Sequence, residues 1–425
     1  MAKRQHSQTT AEEKLVWFGL TSTYPIYFVG GLYVSGSVLG WLILGVMVLR
    51  WLNRDTNQYR QVPMMVWLWI IGMLVMLIAL WIGHANWGLG TGKTIKSTIG
   101  WMKGWALMAL FIFIGAMCHI RKELLIRAVC VLAVHSLIFA LISFCAYLVR
   151  FPGELFVSPL QAIGGPGPSF FTVSLYGLNP ETGAGRWQFF GPWAPAAGLL
   201  ACIYLIFCFQ EKDPFWRNYG LLGCTVMCLL SQSRAGWVIF FALWPMMIFA
   251  DKLKEPWLLM ALGIGIPAIL ILGQPIFEWL ITSYEEVKAA RPGSTRVRQT
   301  LANLALQRWQ AEAPWFGHGI VESGTKITAG MPIGSHHSWY GLLFVKGIVG
   351  LFALAVPLML STVYLFWRAL STYQAQVALC FMAVFICYSF FENLEILSYL
   401  YWPALIWIGM ALNPEQEEQQ HVAKI

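Results

Sequence analysis

Charged residues are scarce in this sequence. Only 11% of its 425 residues are Asp, Glu, Lys or Arg, whereas 58% are hydrophobic. Because a soluble globular domain has roughly 25% charged residues, this composition excludes an ordinary water-soluble protein. Several apolar runs reach about 18 residues, a length that crosses a bilayer as a helix. We therefore predict an all-α polytopic membrane protein with about 12 transmembrane helices.

The sequence also lacks metal-binding motifs. Its nine cysteines lie within or beside apolar runs, and none forms a CxxC pair or a Cys/His metal spacing. There is no DxD pair, and the acidic residues show no spacing typical of a metal site. We expect no structural disulfide, no metal site and no cofactor.

The net charge of +8 comes from Lys and Arg in short loops, a pattern typical of membrane topology rather than nucleic-acid binding. With twelve spans, these loops and both termini fall on one side, which the positive-inside rule identifies as cytoplasmic. The basic loop residues on that side are Arg54, Arg60, Arg121, Lys122, Lys212, Arg217, Lys252, Lys254 and Arg368.

The chain divides into three predicted parts. Residues 1–272 contain helices 1–9, with a Gly/Pro-rich outer loop at 150–190. Residues 273–337 form a large, partly helical periplasmic loop between helices 9 and 10, and residues 338–425 contain helices 10–12 and a cytoplasmic tail. The predicted helices cover residues 15–34, 37–52, 63–82, 98–120, 124–148, 193–209, 218–230, 235–250, 256–272, 338–365, 375–391 and 394–412.

Arginines mark the predicted outer face. Arg186 follows the Gly/Pro-rich loop, Arg234 begins a helix, and Arg291, Arg296 and Arg298 lie at the start of the loop helix. The positive-inside rule gives no reason for arginine on this face. A guanidinium binds phosphate oxygens in a bidentate manner, and helix N-termini also favour anions. The pattern predicts a site for a phosphate or a pyrophosphate.

Two histidines, His336 and His337, lie at the N-terminus of the predicted tenth helix. A helix N-terminus and nearby arginines disfavour the imidazolium, so we expect a neutral ring that can accept a proton from a hydroxyl. A capping or interfacial histidine is the alternative. Gln188, Ser338 and Glu392 are further candidates for contacts with the substrate.

Three motifs together suggest a family. SQSRAG at 231–236 resembles the SxSR turn of the O-antigen ligase and polymerase superfamily. The helix with Arg298, followed by PWFGHG at 314–319, resembles the loop pattern of that superfamily. His337–Ser338 with a GxxG at 347–350 resembles the signature of the ligases.

This resemblance implies a glycosyl transfer at the periplasmic face of the bacterial inner membrane. A glycan would pass from undecaprenyl pyrophosphate to a sugar hydroxyl of lipid A–core. His337 would deprotonate or orient that hydroxyl, while Arg234, Arg298 and Arg186 would bind the departing pyrophosphate. The displacement would invert the anomeric carbon and would require neither metal nor nucleotide.

Other functions remain open on the sequence. A polymerase would extend a second lipid-linked glycan, and a protein O-oligosaccharyltransferase would modify Ser or Thr of a protein. The protein could also be a flippase or transporter of lipid-linked glycans. Against that function, charged residues are sparse within the predicted helices. Nothing in the sequence indicates an oligomeric state.

Overall fold

The computed structural model describes residues 9–53, 61–179, 182–249, 292–324 and 331–413. The predicted ninth helix, the predicted cytoplasmic tail and Arg291 lie outside the described residues. The described helices are α1 (Ala11–Thr21), α2 (Thr23–Phe28), α3 (Leu32–Leu52), α4 (Met64–Asn86), α5 (Thr91–Lys103), α6 (Trp105–Met117), α7 (Lys122–Leu148), α8 (Ala194–Phe209), α9 (Pro214–Ser231), α10 (Arg234–Phe249), α11 (Pro292–Glu312), α12 (Ser338–Ala369), α13 (Tyr373–Ser389) and α14 (Leu394–Leu412).

The loop between α7 and α8 contains the only strands of the described residues. They form two short antiparallel pairs, so the Gly/Pro-rich segment folds back on itself beside the helices. The pairs are β1 (Glu154–Val157) with β2 (Thr172–Ser174), and β3 (Gly177–Leu178) with β4 (Gly185–Arg186).

The protein is an all-α membrane protein in its described parts. Six segments are long and apolar enough to cross a bilayer, and three further apolar helices are shorter. The six long segments are Leu32–Leu52, Met64–Asn86, Thr91–Met117, Lys122–Leu148, Ser338–Ala369 and Leu394–Leu412. The shorter ones are Ala194–Phe209, Arg234–Ile248 and Tyr373–Ser389.

Ion pairs and hydrogen bonds join the helix termini at one end of the bundle. We call it the opposite end, because the candidate functional site described below lies at the other end. Arg50 pairs with Glu12 at 2.7 Å, and Arg121 pairs with Glu13 at 2.7 Å. The Asn413 amide donates to a main-chain oxygen at the end of α6, at 2.8 Å. These contacts bring the ends of α3, α6 and α14 to the starts of α1 and α7.

Glycines set the closest helix packing, between α6 and α14. A Cβ added to Gly115 would lie 2.0 Å from the carbonyl oxygen of Ile406, and one added to Gly409 would lie 2.0 Å from that of Ile112. Both helices therefore pack backbone against backbone, as small residues allow in membrane bundles.

Three predicted helices differ from the structure. The predicted first helix, at 15–34, is instead α1 and α2, which meet at Ser22, and α2 ends before Gly30, whose φ is 70°. The predicted fourth helix, at 98–120, is instead α5 and α6, separated at Gly104, where the Glu395 side chain packs against the backbone. The predicted tenth helix is α12, which is interrupted at Gly347 by non-helical backbone (φ 63°, ψ −163°). Hydropathy did not reveal the breaks at Gly104 and Gly347, because the segments around them are apolar on average, although Lys103 and Lys346 directly precede the two glycines.

We expect Gly115→Ala to destabilise the protein by about 1–3 kcal/mol, because the added methyl overlaps a backbone carbonyl that cannot move alone. Gly45→Ala is the matched control, since its added Cβ would meet nothing within 4 Å. Thermal unfolding of the purified variants in one detergent measures the difference. Equal melting temperatures for the two variants would contradict the close packing.

Candidate functional site

The candidate site lies at the other end of the bundle, which we call the site end. Three turns and one helix start meet there. They are the segment from β4 to α8, the turn between α9 and α10, the start of α12, and the turn between α13 and α14.

The turn between α9 and α10 positions Arg234. Gln232 adopts a left-handed conformation (φ 49°) that ends α9. The Ser231 hydroxyl accepts from the Ser233 N–H at 3.2 Å, and the Ser233 hydroxyl accepts from the Gly236 N–H at 3.1 Å. Ser233 thus caps α10, and the two serines of the SxSR motif make Arg234 the first residue of this helix.

Arg186 contacts the same turn. Its Nε donates to the carbonyl oxygen of Ser231 at 3.1 Å. The Gln232 amide nitrogen donates to the carbonyl oxygen of Gly185 at 2.8 Å. The turn therefore connects β4 to the start of α10, so Arg186 and Arg234 lie in the same part of the site end.

Glu392 lies in the turn between α13 and α14 and is 1% exposed. Its Oε2 accepts from the indole nitrogen of Trp193 at 2.9 Å. Burial raises the pKa of this carboxyl to about 7, although the positive charges of Arg298 and Arg186 oppose the rise. Both arginines therefore act electrostatically on one buried carboxyl, although they lie far apart in the sequence.

His336 and His337 lead into α12. Burial lowers the pKa of each to about 4, and the charge of Arg298 contributes at His336. The direction agrees with the expected neutral rings, but burial is the main cause rather than the helix N-terminus. His336 has a left-handed backbone (φ 64°), which few residues other than glycine adopt.

His337 is the N-cap of α12. Its Nδ1 accepts from the Tyr340 N–H at 3.4 Å, and its ring stacks on that of Tyr340 with centroids 3.9 Å apart. A neutral imidazole whose Nδ1 accepts has its proton on Nε2. In this tautomer Nε2 is a donor, which suits binding an oxygen better than removing a proton.

Ser338, a predicted contact with the substrate, makes two hydrogen bonds within the protein. Its hydroxyl donates to the carbonyl oxygen of Glu392 at 2.8 Å and accepts from the Leu394 N–H at 3.0 Å. The residue is 1% exposed. Ser338 therefore fixes the turn between α13 and α14 against the start of α12.

The other predicted contact residues differ in their surroundings. The Gln188 amide donates to the hydroxyl of Ser174 in β2, which ties the segment before α8 to the strands. Arg296 is exposed on the first turns of α11, and Arg298 is half-buried. The structure thus brings Arg298, not Arg296, into electrostatic contact with His336 and Glu392.

At Gly347 the helical hydrogen bonds of α12 are broken, and backbone groups of residues 314–319 form hydrogen bonds in their place. We call this replacement the repair of α12. It was not predicted from the sequence. The N–H groups of His318 and Gly319 donate to the carbonyl oxygens of residues 344 and 345, both at 2.9 Å. The N–H groups of residues 348 and 349 donate to the carbonyl oxygens of Pro314 and Trp315, at 2.9 and 3.2 Å.

Glycines permit this contact. Gly317 and Gly347 both have positive φ, and a Cβ on either would lie within 2.4 Å of the facing backbone. The PWFGHG motif and the first glycine of the GxxG motif therefore meet in space. The presence of both glycine motifs in the sequence was the signal that could have identified the break in α12.

The His318 side chain adds to this contact. Its Nδ1 lies 3.0 Å from the carbonyl oxygen of Phe344, and its Nε2 lies 2.8 Å from a carboxylate oxygen of Glu312. The ring is stacked between those of Trp87 and Phe344. The imidazole therefore connects Glu312 of α11 to Phe344 of α12.

Within the described ranges, no group of three or more His, Cys, Asp or Glu side chains is placed to hold a metal ion. Comparison of the sequence with protein-family models and with curated proteins gives no match. The chemistry of the site is therefore argued from its own residues.

We expect Glu392→Gln to stabilise the protein increasingly as the pH rises. Unfolded, this carboxyl ionises near 4.5, whereas the folded pKa is about 7. Because of the raised pKa, the free energy of unfolding of the wild type falls by roughly 3 kcal/mol between these pH values and stays lower above them. Gln keeps an acceptor for Trp193 but has no charge.

The measurement is the difference in free energy of unfolding between variant and wild type from pH 4.5 to 8. Subtracting the wild type removes the opposite contributions of His336 and His337, whose lowered pKa values destabilise the fold as the pH falls. A difference that does not change with pH would show that Glu392 titrates normally.

Proposed function

We propose that this protein is an O-antigen ligase of the bacterial inner membrane. It transfers a glycan from undecaprenyl pyrophosphate to a sugar hydroxyl of lipid A–core, without a metal or a nucleotide and with inversion of the anomeric carbon. The observation that carries the proposal is that Arg186 and Arg298 both act electrostatically on the buried Glu392, and that Arg298 also acts on His336.

In this proposal the arginines bind the pyrophosphate. Arg186, Arg234 and Arg298 offset its negative charge as it leaves, a task that needs preorganised donors in a site with little water. Arg296, exposed on α11, assists from the rim of the site. Arg291, which lies outside the described residues, is proposed as a further contact with the substrate.

His337 binds the acceptor hydroxyl. Its resting tautomer presents Nε2–H, and a pKa of about 4 makes the ring a weak base. General-base catalysis is most efficient when the pKa lies near the working pH. We therefore assign His337 to orienting the hydroxyl through Nε2–H. The hydroxyl proton passes to an oxygen of the departing pyrophosphate as the new bond forms.

The topology is also part of the proposal. Twelve crossings place both termini in the cytoplasm and the site end in the periplasm. The ion pairs of Arg50 and Arg121 at the opposite end support this orientation, because cytoplasmic ends are rich in Lys and Arg. A reporter fused at residues 273–335 should be periplasmic.

Transport of a lipid-linked glycan is the second candidate. Transporters often use interrupted helices around buried charges. Here α12 is interrupted at Gly347, beside the buried Lys346. In our proposal the break has a structural role, since residues 314–319 restore its hydrogen bonds.

An in vitro transfer assay tests the proposal. Purified protein is given undecaprenyl-pyrophosphate glycan and lipid A–core in the presence of EDTA. We expect transfer by the wild type, a loss of roughly 100-fold or more in His337→Ala, and a smaller loss in His337→Gln, which keeps a donor. Arg298→Lys should be more impaired than Arg296→Lys.

The products separate the candidate functions. Longer lipid-linked glycans without modified lipid A–core would show a polymerase. Transfer to a protein Ser or Thr would show a protein O-oligosaccharyltransferase. No product from folded wild type, together with glycan-lipid movement across vesicles, would favour the transporter.

A further inference from the structure

Helix α5 packs on the last turns of α4 at the site end. The Thr94 hydroxyl lies 3.2 Å from Nδ1 of His84, and the indole nitrogen of Trp81 donates to the Thr98 hydroxyl at 3.0 Å. The two helices are therefore antiparallel, with one side of α5 against α4. The proposed mechanism uses no residue of this helix.

The outer side of α5 combines two stripes. Lys93 and Lys96, one turn apart, are both exposed. Ile95, Ile99 and Met102 form an adjacent apolar stripe and are 57%, 45% and 38% exposed. Charge beside exposed apolar surface is typical of a helix at a membrane interface.

The lysines have no acidic neighbours in the sequence, because residues 56–122 contain neither Asp nor Glu. Neither Lys93 nor Lys96 forms an ion pair with a described carboxylate. The positive-inside rule does not explain them either, if the site end is periplasmic. Their charge is available for an external anion.

A groove lies between α4 and α5. Its volume is about 350 Å³, and it is lined by Trp81 of α4 and by Thr91, Thr94, Ile95, Thr98 and Ile99 of α5, the helix that contains both lysines. The groove is open and mostly apolar, which fits a hydrocarbon chain rather than a sugar or a free ion.

We propose that this α5 surface, formed by Lys93, Lys96, Ile95, Ile99 and Trp81, binds a phosphate-bearing lipid. The lysines bind the phosphate, and an acyl chain lies along the groove. An inorganic phosphate would not use the apolar stripe, so the ligand is a lipid. That this lipid is the acceptor, lipid A–core, rests on the proposed ligase function.

The position of α5 supports this use. Nε2 of His84 lies 3.1 Å from the carbonyl oxygen of Gly319, and the Trp87 ring stacks on His318. The end of α4 thus contacts the segment that repairs α12. A lipid on α5 would lie at the same end of the bundle as His337.

The test compares Lys93→Gln/Lys96→Gln with Lys212→Gln. Lys212 is an exposed lysine between α8 and α9, at the opposite end. Native mass spectrometry counts phosphatidic acid and phosphatidylcholine of equal chain length bound to each full-length protein. We expect wild type and Lys212→Gln to prefer phosphatidic acid, and the double variant to bind it roughly tenfold more weakly.

The transfer assay gives a separate readout. The double variant should have a raised KM for phosphorylated lipid A–core with unchanged kcat, and an unchanged KM for the dephosphorylated acceptor. Phosphatidic acid binding that is equal in all three proteins, or that inorganic phosphate displaces, would overturn the α5 proposal. Selective lipid binding without any transfer by the wild type would refute the ligase function and retain the lipid site.

Discussion

The repair of α12 is the constraint on which the site depends. Inside a membrane bundle, backbone N–H and C=O groups must find partners within the protein. The break at Gly347 leaves such groups unpaired, and residues 314–319 pair them. This contact connects the end of α11 to α12 and, through Ser338, to the turn before α14. His337 is the N-cap of the helix that both contacts hold.

Burial is the second constraint at the site end. Glu392, His336 and His337 all lie where water is scarce, and each pKa shifts towards the neutral form. The positive charges of Arg186 and Arg298 act on Glu392 from separate parts of the chain and favour its ionised form. We propose that the same charges attract an anionic substrate.

The sequence predicted the outline of the fold well. The last helix has the predicted bounds, Leu394–Leu412, and α13 begins and ends two residues before its prediction. Apolar length alone determines these helices. The breaks at Gly104 and Gly347 were not predicted, because they depend on contacts with Glu395 and with Trp315, which lie far away in the sequence.

Several residues that the sequence singled out lie at the same end of the bundle, but their contacts were not predictable. The anion site that arginine and histidine at helix starts indicate stays a prediction. Three properties of the site depend on neighbours in three dimensions. They are the hydrogen bonds of Ser338, the tautomer of His337 and the burial of Glu392. Local sequence patterns contain no information about such neighbours.

The most direct test of the account is a cryo-electron microscopy structure of the protein in a lipid nanodisc with undecaprenyl pyrophosphate. We predict pyrophosphate density in contact with the Arg186 and Arg298 guanidinium groups, at the corner formed by Glu392 and His336. Pyrophosphate density elsewhere, with this corner filled only by side chains and water, would contradict the proposed site.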